Sequence, residues 1–185
     1  CLVVPSPRVG FARAVDYLIS KPNFGPCVSG VSPKAIIAPD TVIHPSATIM
    51  ARASVGSGTV VEAGAILYPA VRVGENCYVG SNAVLSHSVI GDHVKIGAGS
   101  VIGEAGFGLE MMEDGAVKIP HIGLVSIADS VSIGSSCTID RGSLDNTTIG
   151  EQVMIDNLCH IAHNVTIGPR SIISGQCGIS GSATV

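Results

Sequence analysis

The chain has 185 residues, of which 46% are hydrophobic, 13% charged and 3% aromatic, and its formal net charge is −4. So high an apolar content excludes intrinsic disorder, and an acidic balance without any Lys/Arg cluster excludes a nucleic-acid surface. No apolar run approaches the roughly 18 residues that span a bilayer and no signal peptide opens the chain, so a cytoplasmic protein without a transmembrane segment is expected.

Residues 1–33 lie outside any repeat and read as the end of an N-terminal domain or linker. Within them Phe11, Val15, Leu18 and Ile19 have helical spacing, which predicts one short amphipathic helix over "FARAVDYLIS". The chain begins at Cys1 rather than Met and stops at Val185 in mid-repeat, so it is expected to be part of a longer polypeptide.

From residue 34 onward one aliphatic residue recurs every six: Ile37, Ile43, Ile49, Val55, Val61, Leu67, Val73, Val79 and Leu85. The series resumes at Ile90, Ile96 and Ile102, runs again through Ile127, Ile133 and Ile139, and continues from Ile149 to Val185. A period of six fits neither the helical 3.6 nor an ordinary meander. It is the hexapeptide signature of a parallel β-helix, a triangular prism in which three hexads close one coil. The predicted fold over 34–185 is therefore all-β, with the short helix ahead of it. With so few aromatic residues, its interior has to be built from thin layers of Ile, Val and Ala.

The residue two before each aliphatic is small or β-branched (Ala47, Ala53, Thr59, Val131, Val153), and both positions are expected to point inward. Cys77, Cys137, Cys159 and Cys177 occupy that inward slot, which predicts buried free thiols rather than disulfides or a nucleophile. Nine hexads carry Gly directly after the aliphatic, Gly56, Gly74 and Gly97 among them, where the turn is expected to need permissive backbone angles.

Chemistry is sought where this regularity fails. The breaks are "LSHSV" at 85–89, a long insertion between Ile102 and Ile127, and four extra residues in "IDRGSLDNTTI". Counting hexads in threes puts Ile139, Ile161 and Ile179 on one corner, so the DRGSLDN bulge lies one coil before His163. His163 and Gly181 are one 18-residue coil apart, both two residues past an aliphatic, and should stack on one edge. If the insertion replaces a single turn, Leu85 and Ile102 join the same column and "GEAGFGLEMMEDGAVKIP" overhangs the site; if Ile122 is an extra hexad, the earlier coils shift by one corner. His160 should point outward from a flat face. A catalytic zinc needs about three converging ligands, and no histidine pair here has the five-residue spacing of hexapeptide-repeat carbonic anhydrases, so no metal or other cofactor is expected.

"KIPHIGLVSIADSVSIGSSCTIDRGSLDNTTIGEQVMIDNLCHIAHNVTIG", with "SVIGEAGFG" before it and "GISGSATV" after it, resembles the UDP-3-O-acylglucosamine N-acyltransferases of bacterial lipid A biosynthesis. The resemblance implies a left-handed β-helix, a homotrimer, and transfer of a 3-hydroxyacyl chain from acyl carrier protein to the 2-amino group of a UDP-sugar lipid precursor. It implies His163 as general base, Gly181 as backbone donor to the thioester oxyanion, and Asp156 and Asn157 as substrate-binding positions. It also implies a uridine-binding domain before this stretch, and a second functional histidine and carrier-protein contacts after it, so this stretch alone is expected to be inactive.

The residues agree with that chemistry. An amine attacking a thioester must lose a proton, a task suited to imidazole, and no covalent acyl-enzyme is needed. The alternatives are another hexapeptide-repeat O- or N-acyltransferase, separable by its thioester donor, and a non-catalytic β-helical scaffold, for which loss of His163 is silent.

Overall fold

The computed structural model describes residue 4 and residues 6–19, 29–113 and 115–185. The repeat forms a parallel β-solenoid of three seven-stranded sheets, and successive strands of any one sheet come from successive coils. The first face runs from Ile36–Ile37 to Thr166–Ile167, the second from Val42–Ile43 to Ile172–Ile173, and the third from Thr48–Ile49 to Gly178–Ile179. Most strands are only two residues long, because six residues must supply both a straight segment and a corner.

The interior is the column of aliphatics itself. Ile49, Leu67, Leu85, Ile102, Ile139 and Ile161 are fully buried, as are Ala47, Ala53, Thr59, Val131 and Val153 two residues before such positions. Cys77, Cys137 and Cys159 are buried free thiols in that inner slot and Cys177 is half-buried. Cys77 donates to the Gly91 carbonyl at 3.1 Å, and burial raises the Cys77 and Cys137 thiols above their ordinary pKa.

The glycines following the aliphatic residue have a different reason from the one expected. Of the nine, only Gly103 has a left-handed φ (91°). The left-handed corner position is three residues past the aliphatic, where Arg52, Asn76, Gln152, Leu158 and Asn164 all have φ between 52° and 65°. Glycine after the aliphatic is required by close approach instead: a Cβ at Gly56 would stand 2.6 Å from the Gly74 carbonyl, and one at Gly97 would strike the Gly134 backbone.

The helix spans Pro7–Ile19 and so begins four residues earlier than the apolar spacing indicated. Ser6 caps it, its Oγ accepting from Val9 N–H at 3.4 Å, and Pro7 takes the first helical position, where its missing N–H costs nothing. The buried stripe is Val9, Ala12 and Val15, while Leu18 is 80% exposed. Ser20, the last residue of the expected helix, and the side chain of Ile19 lie outside the described residues. No described helix is long and apolar enough to cross a membrane.

The long insertion replaces one turn. Ile102 pairs with Leu85 on one side and Ile139 on the other, so Leu85, Ile102, Ile139, Ile161 and Ile179 form one column on the third face. Ile122 is not an extra hexad; its N–H bonds the Ser143 carbonyl in the bulge at 2.8 Å. The third-face strand lengthens to Val101–Ala105 with a register shift after Ile102, at Gly103, where a Cβ would collide with the Ser86 carbonyl. Beyond it the chain leaves the prism as an antiparallel hairpin, Leu109–Met112 with Gly115–Lys118.

Candidate active site

The corner between the third and first faces collects the breaks. His163 opens the turn after the strand His160–Ile161, and the lengthened strand Thr138–Arg141 lies one coil below it. The bulge then folds back on this corner. Asn164 Oδ1 accepts from Ser143 N–H at 3.0 Å and from Ser143 Oγ at 2.9 Å, while its Nδ2 donates to the Asp145 carbonyl at 3.4 Å. These partners fix the amide orientation, so the oxygen faces His163 Nδ1 at 3.0 Å. An amide oxygen only accepts; Nδ1 therefore carries a hydrogen, and the neutral ring has its lone pair on Nε2.

That lone pair stands over Gly181. A Cβ built on Gly181 would lie 2.7 Å from His163 Nε2, and the Ser182 N–H bonds the His163 carbonyl at 2.9 Å. The expected stacking of His163 on Gly181 is thus present, and among the described residues the Gly181 N–H has no acceptor. The insertion overhangs the ring as expected: a Cβ on Gly106 would lie 3.0 Å from both His163 Cβ and Asp140 Oδ2. A cleft of about 320 Å³ opens beside it under the arm, lined by Phe107, Gly108, Leu109, Lys118, Asp140 and His160 among others.

His160 points outward from the third face, as its register requires. It is half-exposed, with Nδ1 2.7 Å from Thr138 Oγ1 and Nε2 3.8 Å from Asp140 Oδ2. Asp156 and Asn157 are not brought to His163. They occupy the preceding corner, between the second and third faces, because they follow the second-face strand Met154–Ile155. There Asp156 Oδ1 accepts from Asn157 N–H at 2.7 Å, and Asn157 Oδ1 accepts from Ser135 N–H at 2.7 Å.

Four residues not singled out from the sequence join the corner. His121 packs edge-on against His163, with ring centroids 4.9 Å apart and planes at 61°. It is 6% exposed and neither ring nitrogen has a hydrogen-bond partner among the described residues. Burial, then His163, then Arg141 hold its pKa below the ordinary 6.5; the Ile119 main chain pulls the other way but lies outside hydrogen-bond geometry. Asp140 is pushed above the usual carboxylate range by burial, opposed by His160 and His163 and assisted by Glu104. Arg141 and Asn164 complete the set. Among the described residues no group of three or more His, Cys, Asp or Glu side chains converges to hold a metal. An imidazole whose neutral form leaves Nε2 free, beside a backbone N–H without an acceptor, can take a proton from a nucleophile while the N–H receives developing negative charge on oxygen.

The family model for bacterial transferase hexapeptide (six repeats) matches residues 52–87, 70–104 and 146–181. A UDP-3-O-acylglucosamine N-acyltransferase from Coxiella burnetii is 54% identical over 88 residues, which is 47% of this chain and 26% of that protein. One of the same name from Maricaulis maris is 53% identical over 85 residues, 46% of this chain and 25% of that protein. The matched stretch thus spans about a quarter of the length of these relatives. Among solved structures, a UDP-N-acetylglucosamine acyltransferase from Bacteroides fragilis superposes with a TM-score of 0.62 at 24% identity, over 84% of this chain and 55% of that one, a likeness of fold.

Proposed function

We propose that this chain, whose hexapeptide coils are similar to those of UDP-3-O-acylglucosamine N-acyltransferases, is the β-helical part of an enzyme of that activity. It moves a 3-hydroxyacyl group from acyl carrier protein to the 2-amino group of UDP-3-O-acylglucosamine in the cytoplasmic steps of lipid A biosynthesis. The observation that carries this reading is His163 Nε2 over Gly181, with Asn164 Oδ1 at Nδ1 selecting the neutral-ring tautomer whose lone pair is on Nε2.

In the reaction the amine approaches the thioester carbonyl and Nε2 accepts one of its protons as the C–N bond forms. The Gly181 N–H meets the carbonyl oxygen as it gains charge. The tetrahedral adduct then collapses, the C–S bond breaks, and the imidazolium returns its proton to the departing thiolate. A positioned base contributes about 10²–10⁴-fold and one oxyanion donor about 3 kcal/mol. Asn164 keeps Nδ1–H occupied through both transfers, so the ring cannot turn away.

The subunits form a homotrimer in this reading. Val42, Tyr78, Met154 and Ile172 line up as exposed apolar outward residues of the second face, which is the side a neighbouring copy would cover. Asp156 and Asn157, at the corner of that face, then reach a substrate held by His163 of the adjacent subunit.

The test is acyl transfer by the full-length protein carrying this sequence, native against His163→Ala. A loss of at least about 10²-fold in turnover with unchanged circular dichroism is expected. Turnover within a few-fold of native removes His163 from the mechanism, and no transfer by the native protein removes the acceptor.

A further inference from the structure

The column two residues past the third-face aliphatics holds more than His163 and Gly181. Ile139 pairs with Ile161, so by residue count Arg141, which pairs with Ala105, stands one coil below His163, each two past its aliphatic; Leu85 is in the same column, which makes His87 the equivalent residue further down. Reading along the edge gives His87, the arm's departure at Ala105, Arg141, His163 and Gly181.

Arg141 is a half-buried guanidinium that spends one nitrogen on the protein, Nε donating to the Gly123 carbonyl at 2.6 Å. Among the described residues Nη1 and Nη2 have no acceptor, and no carboxylate lies within 4.0 Å of them. Glu104 is near enough to favour the charge without pairing with it, and its own Oε1 accepts from Ser86 Oγ at 3.5 Å. On either side stand imidazoles whose protonation Arg141 opposes: His87, half-buried with Nδ1 3.3 Å from the Gly103 carbonyl, and His121, buried with both nitrogens unpartnered. Lys118, on the arm, adds a second cation within electrostatic reach of His121. A guanidinium taken partly out of water without a counter-ion needs an anion.

We infer that Arg141 binds the phosphate nearest the sugar of a nucleoside-diphosphate sugar whose amine lies at His163. This rests on the acyl-transfer reading of the same edge and extends it to the acceptor's orientation. Register partners in adjacent coils are about 4.8 Å apart. In a 2-amino sugar diphosphate the amine and the phosphate sit on neighbouring carbons, roughly that distance from one another. With Gly181 one coil above His163 and Arg141 one coil below, the base divides the edge into an acyl side and an acceptor side. The guanidinium fork suits two phosphate oxygens at once, which an ammonium cannot match.

The acyl carrier's prosthetic group also ends in a phosphate, and the experiment separates the two sources. Steady-state kinetics of the full-length protein would compare native with Arg141→Gln and Arg141→Lys, varying each substrate in turn. Expected for Arg141→Gln is a rise of at least about tenfold in KM for UDP-3-O-acylglucosamine, with kcat and KM for the acyl carrier protein within threefold of native, and partial recovery in Arg141→Lys. Isothermal titration with inorganic pyrophosphate, which needs no turnover, should show binding to native protein weakened by a similar factor in Arg141→Gln. An unchanged KM for the UDP-sugar, or a rise confined to the acyl carrier protein, overturns the assignment. So does pyrophosphate binding that ignores Arg141. If native protein shows no transfer but binds pyrophosphate through Arg141, the anion subsite stands and the acyl-transfer reading falls.

Discussion

Asn164 does three things with one amide: it takes the left-handed corner angle, anchors the bulge through Ser143, and orients His163. Its position three past Ile161 is readable from the repeat, yet its role is not, because the partner it ties down sits in residues that break the repeat. The same holds more strongly for His121. It lies in a stretch without periodicity, so only the fold of the arm brings it to His163. Arg141, by contrast, is readable: it is two past Ile139, the position His163 has after Ile161, but the extra residues after it obscure the column.

Two histidines, His121 buried and His87 half-buried, also set a pH dependence. His87 and His121 both have pKa values lowered from 6.5, chiefly by burial, so they stay neutral in the fold while the unfolded chain takes up protons. Stability from this source is complete above about pH 6.5 and is lost as pH falls from there toward the folded-state values. Asp140, raised, acts with the opposite sign and only above its ordinary 3.8. Denaturant midpoints between pH 7.5 and 5.5 should fall for native protein and fall less for His121→Gln. Parallel slopes for the two would remove His121 from the effect.

At the scale of the element, the coil has two glycine-favouring positions with unlike causes, and substitutions separate them. Gly97 faces the Gly134 backbone of the next coil, so Gly97→Ala forces neighbouring coils apart and should cost about 1–3 kcal/mol. Gln152 holds a left-handed φ of 58° on the exposed surface, where Gln152→Asn should be neutral to stabilising by up to about 1 kcal/mol. Thermal melts of the two variants moving in the same direction by similar amounts would contradict this division. The hairpin Leu109–Lys118 was the element missed in the sequence, although an Asp-Gly pair at 114–115 between two short runs is a recognised hairpin signal. A sixfold period cannot register it, because its strands pair antiparallel, outside the prism.

Across the whole molecule, the period of six was sufficient for the number of faces and for the columns, since each inward position repeats regardless of what the corners carry. It was not sufficient for how many corners make one site. Asp156 and His163 are separated by one hexad and one residue, which places them on different corners of the same coil. If a trimer joins them across a boundary, inactive His163→Ala and Asp156→Ala proteins should complement each other when co-expressed, because a mixed trimer contains interfaces with both residues intact. Recovery of a measurable share of native turnover is expected; complete inactivity of mixed trimers, verified by mass, would place both residues' effects within one subunit.

Each coil touches only the coils beside it, so loss of order has to travel along the prism like the opening of a zipper. The edge from His87 to Gly181 crosses several such teeth. A substrate lying along it clips neighbouring coils together, and amide exchange would slow in a band centred on those coils while the distant end of the prism kept its unliganded rate.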